Sequence, residues 1–303
     1  MTEDDVKSPV LDAEFWIMII LLSVSIPCSI SIFIYFYRQR KKIAIQHHLT
    51  LVLVTLCFMD MVINYPIALV QNRRQRVISA TASFCLLWNW WAYSLITTLI
   101  WVAAYGSIER YLLVFHNGLF LTRRKRIFLH FLPILTAIIY SYTFYFVVIV
   151  LHSCEDRWDY NSLLCRLPCY VYSQPTASLY DFVVNTFIPL TIITVANVVL
   201  IVRVLWQKRK RQRDWKRKWK LSAYLILLAV FFMITWCPGT INSLIYLYTL
   251  SPVSENLQMK YFFFLPSLLE MILSIISVFF LPDFTKTVFR FRRRTVKPHI
   301  VNH

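Results

Sequence analysis

ASFCLLWNWWAYSLITTLIWVAAYGSIERYLLV, residues 82–114, carries no charged side chain before Glu109. Hydrocarbon about 30 Å thick is crossed by roughly 20 consecutive apolar helical residues, so this stretch can span a bilayer with turns to spare. Six more stretches of similar character lie near residues 15–37, 46–70, 127–151, 177–206, 219–248 and 258–281, separated by short polar loops. They are far longer than the roughly 9 to 11 residues of a spanning strand and lack its alternation. A helix closes its backbone hydrogen bonds within itself, as lipid requires. The expectation is an all-α membrane protein: a seven-transmembrane helix bundle over residues 15–281, with a short N-terminus (1–14) before it and a basic tail (282–303) after it.

Composition points the same way. Of the 303 residues, 58% are apolar or aromatic and only 16% are charged, a balance too apolar for a soluble domain of this length. Lys and Arg divide unevenly between the two sides. The loops after the first, third and fifth stretches, with the tail, hold 24 of them, and the other side holds seven: Lys7, Arg73, Arg74, Arg76, Arg157, Arg166 and Lys260. By the positive-inside rule the N-terminus is expected outside and the tail in the cytoplasm. The start MTEDDVKSPVLDAEF lacks the basic region of a cleaved signal peptide, which makes the first span an expected uncleaved anchor. A net charge of +17 raises nucleic acid as a partner, but the charge sits in juxtamembrane runs such as QKRKRQRDWKRKWK (207–220), where anionic lipid head groups are nearer. Membrane lipids, and no nucleic acid, are the expected partners of those runs.

Cys85, Cys154, Cys165 and Cys169 fall at or beyond the outer ends of spans, on the oxidising side, whereas Cys28, Cys57 and Cys237 lie within spans. Four outer cysteines allow three pairings. Ionisable residues within hydrocarbon are costly and mark function; those singled out are Asp60, Glu109, Arg110 and Glu270. The seven histidines all read as near membrane surfaces or in the tail, so a zinc hydrolase is not expected, and neither is a cofactor. A transporter or channel is the rival class, against which stand the lack of an internal repeat and a glycine count of only three.

Glu109-Arg110-Tyr111, at the inner end of the third span, matches the acidic-Arg-Tyr motif of rhodopsin-like G-protein-coupled receptors. Cys85 precedes Arg110 by 25 positions, the spacing of that family's outer disulfide cysteine. Asp60 in LCFMD matches its span-two acid, Phe232-x-x-x-Trp236-Cys237-Pro238 its span-six pattern, and Pro189 its span-five proline. Pro282-Asp283-Phe284 opens a segment like its short amphipathic eighth helix. The chain thus resembles this family over nearly its whole length. It departs from the pattern at Ser274 to Val278, where Asn-Pro-x-x-Tyr is usual, at Asn197 in place of an inward Tyr, and at Ser29 in place of Asn.

The resemblance implies a plasma-membrane receptor, not an enzyme, whose partner is a heterotrimeric G protein. In that reading Glu109 holds Arg110 at rest, and Arg110 with Tyr111 meets the G protein once the sixth span swings about Trp236, Phe232 and Pro238, with Pro189 loosening the fifth. Asp60, Glu270 and Ser274 are expected to hold either a sodium ion or a shared proton. Disulfides are expected between Cys85 and Cys169 and between Cys154 and Cys165. Ala92 stands where amine receptors carry an Asp, and Leu268 where opsins carry the retinal Lys, so neither amine nor light is the expected signal. A pocket of Trp88, Trp91, Ala92, Tyr93, Trp236, Thr240 and Phe264, rimmed by Arg73, Arg74, Arg76 and Arg166, suits a peptide or lipid-like ligand with an acidic group.

Overall fold

The first helix shows how the chain builds its bundle. In α1 (Pro9–Gln39) the residues Glu14, Met18, Leu22, Ser25, Ser29 and Ile32 recur at helical spacing and are all buried. Trp16, Ile20, Val24 and Ile34, on the opposite side, are exposed. An apolar outer face with small and polar residues turned inward is the reverse of a soluble helix and fits lipid as the outer solvent. The computed structural model describes residues 9–39, 45–115, 122–151, 158–208, 215–249, 251–281 and 284. Cys154, Pro282 and Asp283 lie outside them, and so does the segment read as an eighth helix.

Five further helices are long and apolar enough to cross a membrane: α2 (Ile45–Arg74), α3 (Ala82–Phe115), α4 (Ile127–Val150), α5 (Pro175–Arg203) and α6 (Trp215–Thr249). A shorter apolar helix of 17 residues, α7 (Phe264–Phe280), follows the helical turns Pro252–Leu257 and Gln258–Phe262. No strand occurs among the described residues. α7 packs against α1, α2 and α6, while α3 packs against α2, α4 and α5. α3 is the central post, since 61% of its apolar stretch is buried against 22 to 44% in the other five spans.

Three π-wound segments interrupt α4 and α5. The first and last turns of α4, Ile127–Phe131 and Phe146–Val150, are π-wound, as are residues Asp181–Phe187 of α5. Pro189 has no N–H to give the carbonyl of Asn185, and the wide turns just before it are one way a helix accommodates that loss. α2 and α3 pack tightly at Gly106, where a Cβ would collide with the buried Leu49 side chain. Gly106→Ala is therefore expected to cost about 1–3 kcal/mol through overpacking, offset in part by alanine's helix propensity. A thermal unfolding midpoint at or above that of the unaltered protein would count against this contact.

Candidate functional site

At the end of α3 that carries Arg110, Glu109 is buried, and its Oε1 accepts a hydrogen bond from Nδ1 of His130 on α4 at 2.6 Å. Both side chains are 1% exposed. The π turn at Ile127–Phe131 carries this histidine inward, with the rings of His48 and Phe131 against it. His130 thus stands in the interior, not near a surface as the sequence suggested. Next to the motif, the Arg203 guanidinium of α5 lies 5.2 Å from the ring of Tyr111 and 5.1 Å from that of Phe115, a cation–π arrangement.

Midway along the bundle, Asp60 of α2 and Glu270 of α7 are buried and line the same cavity. Tyr65 Oη donates to Glu270 Oε2 at 2.7 Å, and Asn64 Nδ2 donates to Asp60 Oδ1. Ser274 is fully buried close by in α7, with its hydroxyl unpartnered among the described residues. On the α6 side the rings of Phe232 and Trp236 stack at 5.9 Å, and Phe232 packs with Ile100, Leu190 and Ile193. Among the described residues no group of three His, Cys, Asp or Glu side chains could hold a metal ion.

At the other end, Cys85 is bonded to Cys165, so neither the expected Cys85–Cys169 pair nor the expected Cys154–Cys165 pair forms. Leu164, Cys165 and Arg166 all have positive φ, a costly conformation for three consecutive non-glycine residues. That turn folds the loop back over α3, where Asn89 Nδ2 donates to the Leu164 carbonyl at 2.6 Å and Cys165 is fully buried. Pro168 then caps a short helix, Cys169–Ser173, which leads Cys169 away. Cys169 is also disulfide-bonded, to a partner outside the described residues.

Two cavities open beneath this loop. The larger, about 460 Å³, is lined by Trp88, Ala92 and Phe264 and extends down to Asp60 and Glu270. The smaller, about 150 Å³, is lined by Tyr93, Trp236 and Thr240. Trp91 lines neither and packs edge-on against Tyr142 instead. The smaller cavity also holds Asp181, an acid that sequence reading passed over. Its carboxylate accepts from Tyr145 at 2.6 Å, Asn185 at 2.7 Å and Tyr170 at 2.8 Å. Burial and the adjacent Asp181 push the Tyr170 hydroxyl well above its ordinary range, keeping it a donor.

The rim differs from expectation as well. Arg73, Arg74 and Arg76 line neither cavity, and Arg73 lies over the ring of Phe15, 3.9 Å from Asp12. Arg166 does reach the larger cavity, but Glu255 grips it through two bonds of 2.5 and 3.0 Å. That carboxylate holds the guanidinium above its ordinary range.

Comparison of the sequence with known families adds the deciding observation: the family described as 7 transmembrane receptor (rhodopsin family) matches residues 30–277. The chain belongs to this receptor family. Comparison with curated proteins gives no match. The matched region takes in the receptor's Glu109–His130 pair, Asp60, Glu270 and the smaller cavity, whereas Glu14 and Met18 of the larger cavity precede it. Membership makes the receptor a multi-pass membrane protein of the plasma membrane. His130 and Asp181 had no counterpart in the motifs, and their roles emerged only from packing.

Proposed function

We propose that the receptor carries a signal from an extracellular ligand to a heterotrimeric G protein, with its N-terminus outside and Arg110 facing the cytoplasm. The observation that carries this reading is the placement of Glu109-Arg110-Tyr111 at one end of the central helix, with a ligand-sized cavity opening at the other. Between them, the stacked Phe232 and Trp236 lie on a helix that Pro238 interrupts, so pressure from above can tilt α6 about that point. The basic run from Arg203 through Lys220 would meet anionic lipid and the acidic surface of a partner on the same side.

Reconstituted in lipid nanodiscs with purified G protein, the receptor should accelerate nucleotide exchange, and Arg110→Leu should remove at least about nine-tenths of that acceleration while leaving the unfolding midpoint in place. Exchange that is indifferent to Arg110 would overturn the coupling. Ion flux through liposomes containing the pure protein would favour a channel or transporter in its place. The acid-bearing ligand expected from the arginine rim loses its support, because the one arginine that reaches the cavity is held by Glu255.

A further inference from the structure

The larger cavity is acidic. Glu14, Asp60, Asp159, Glu255 and Glu270 all line it, and Arg166 is the one Lys or Arg lining it among the described residues. Since Arg166 and Glu255 neutralise each other, the balance left to the cavity is negative. Walls of low dielectric focus such a field toward the cavity mouth and draw cations in.

Glu14 makes this more than a cluster of acids. It projects from α1 on the same face as Met18, both line the cavity, and the residue is only 8% exposed. Among the described residues nothing hydrogen-bonds it and no cation faces it. The nearby arginine of α2, Arg73, turns instead toward Asp12 and Phe15. An ionisable side chain held out of water without a protein partner is costly, and a cation from outside would remove that cost.

The remaining lining describes the rest of the ligand. Trp88, Phe263 and Phe264 supply aromatic faces, and Ala92 leaves room beside α3. A volume of about 460 Å³ falls within the range of small-molecule pockets, roughly 300–1,000 Å³.

We infer that this cavity receives an organic cation, an amine or guanidine carried on an aromatic or apolar body, with its charge bound by Glu14 of α1. The ammonium partner thus sits on the first helix instead of the third. The inference rests on the receptor reading for what binding would trigger, but not for binding itself, which is read without a G protein.

Thermal unfolding of the purified full-length receptor in nanodiscs provides the test, with tryptamine, benzamidine and spermidine as cationic probes. Tryptophol and indolepropionate serve as neutral and anionic counterparts of tryptamine. At least one cation should raise the unfolding midpoint in a saturable way, tryptamine should outperform both counterparts, and Glu14→Gln should weaken the effective cation at least about tenfold. The inference is overturned by no gain with any of the three cations, by indolepropionate or tryptophol matching tryptamine, or by Glu14→Gln responding like the unaltered receptor. Should that variant not fold, the tryptamine series on the unaltered receptor decides the matter. Because no G protein takes part, failure here leaves coupling through Arg110 untouched, and failure of coupling leaves the binding result intact.

Discussion

His130→Phe is expected to destabilise the receptor by about 1–3 kcal/mol, the range for leaving a buried acceptor without its donor. Glu109 would keep its burial at 1% exposure and lose the Nδ1–H donor now 2.6 Å away. Phenylalanine fills much of the imidazole's space, so most of the loss would come from the stranded carboxylate and little from a cavity. The companion variant Glu109→Gln should cost much less, since its amide can still meet His130. A double change, Glu109→Leu with His130→Phe, should recover a large part of the single variant's loss by leaving no polar group behind. Thermal unfolding of the four proteins checks this, and a His130→Phe loss below about 1 kcal/mol would show that the pair does not hold α3 to α4. The pair also bears on signalling. A Glu109 anchored on α4 is fixed on one side, so cutting the anchor should change ligand-free nucleotide exchange as well as stability.

That anchor shows where sequence reading stops. Span lengths, lipid-facing apolar residues and Glu109-Arg110-Tyr111 depend on composition and spacing, and the helices overlie the stretches expected of them: α3 at Ala82–Phe115 against 82–114, and α4 at Ile127–Val150 against 127–151. His130 lies three residues inside the start of α4, where a histidine ordinarily reaches water, and only the π turn Ile127–Phe131 carries it to Glu109. Asp181 was unreadable for a related reason, because Tyr145, Tyr170 and Asn185 converge on it from three segments. The disulfide depended on backbone torsions. Nothing in Leu164-Cys165-Arg166 announces three positive φ values, which glycine would have signalled. Glu14 read as part of a short acidic N-terminus, and its burial follows from the face that α1 turns toward the cavity.

Asp60 and Glu270 were legible as residues but not as a geometry. Both are buried and line one cavity, with Tyr65 donating to Glu270 and Asn64 to Asp60. Two acids buried in one low-dielectric cavity cannot both stay charged without a partner, and among the described residues Asn64 and Tyr65, both neutral, are the donors they have. We therefore propose a proton, not a sodium ion, between these helices. Glu270→Leu should then destabilise the receptor by about 3–5 kcal/mol: the charge of Asp60 loses the group that shares it, and the Tyr65 hydroxyl loses its acceptor within the same cluster. Glu270→Gln should cost no more than about 1 kcal/mol, because an amide can donate to Asp60 and accept from Tyr65. Infrared spectroscopy separates proton from cation. At neutral pH the unaltered receptor should show the carbonyl stretch of a protonated, buried carboxylic acid, and that band should vanish in Glu270→Gln. A receptor without the band, whose unfolding midpoint rises with sodium but not with potassium at equal ionic strength, would place the ion there instead. The exchange of a proton for an ion matters to signalling, because the pair ties α2 to α7 beneath the cavity where a ligand would arrive. Ligand-stimulated nucleotide exchange should accordingly vary with pH in the unaltered receptor and lose that variation in Glu270→Gln.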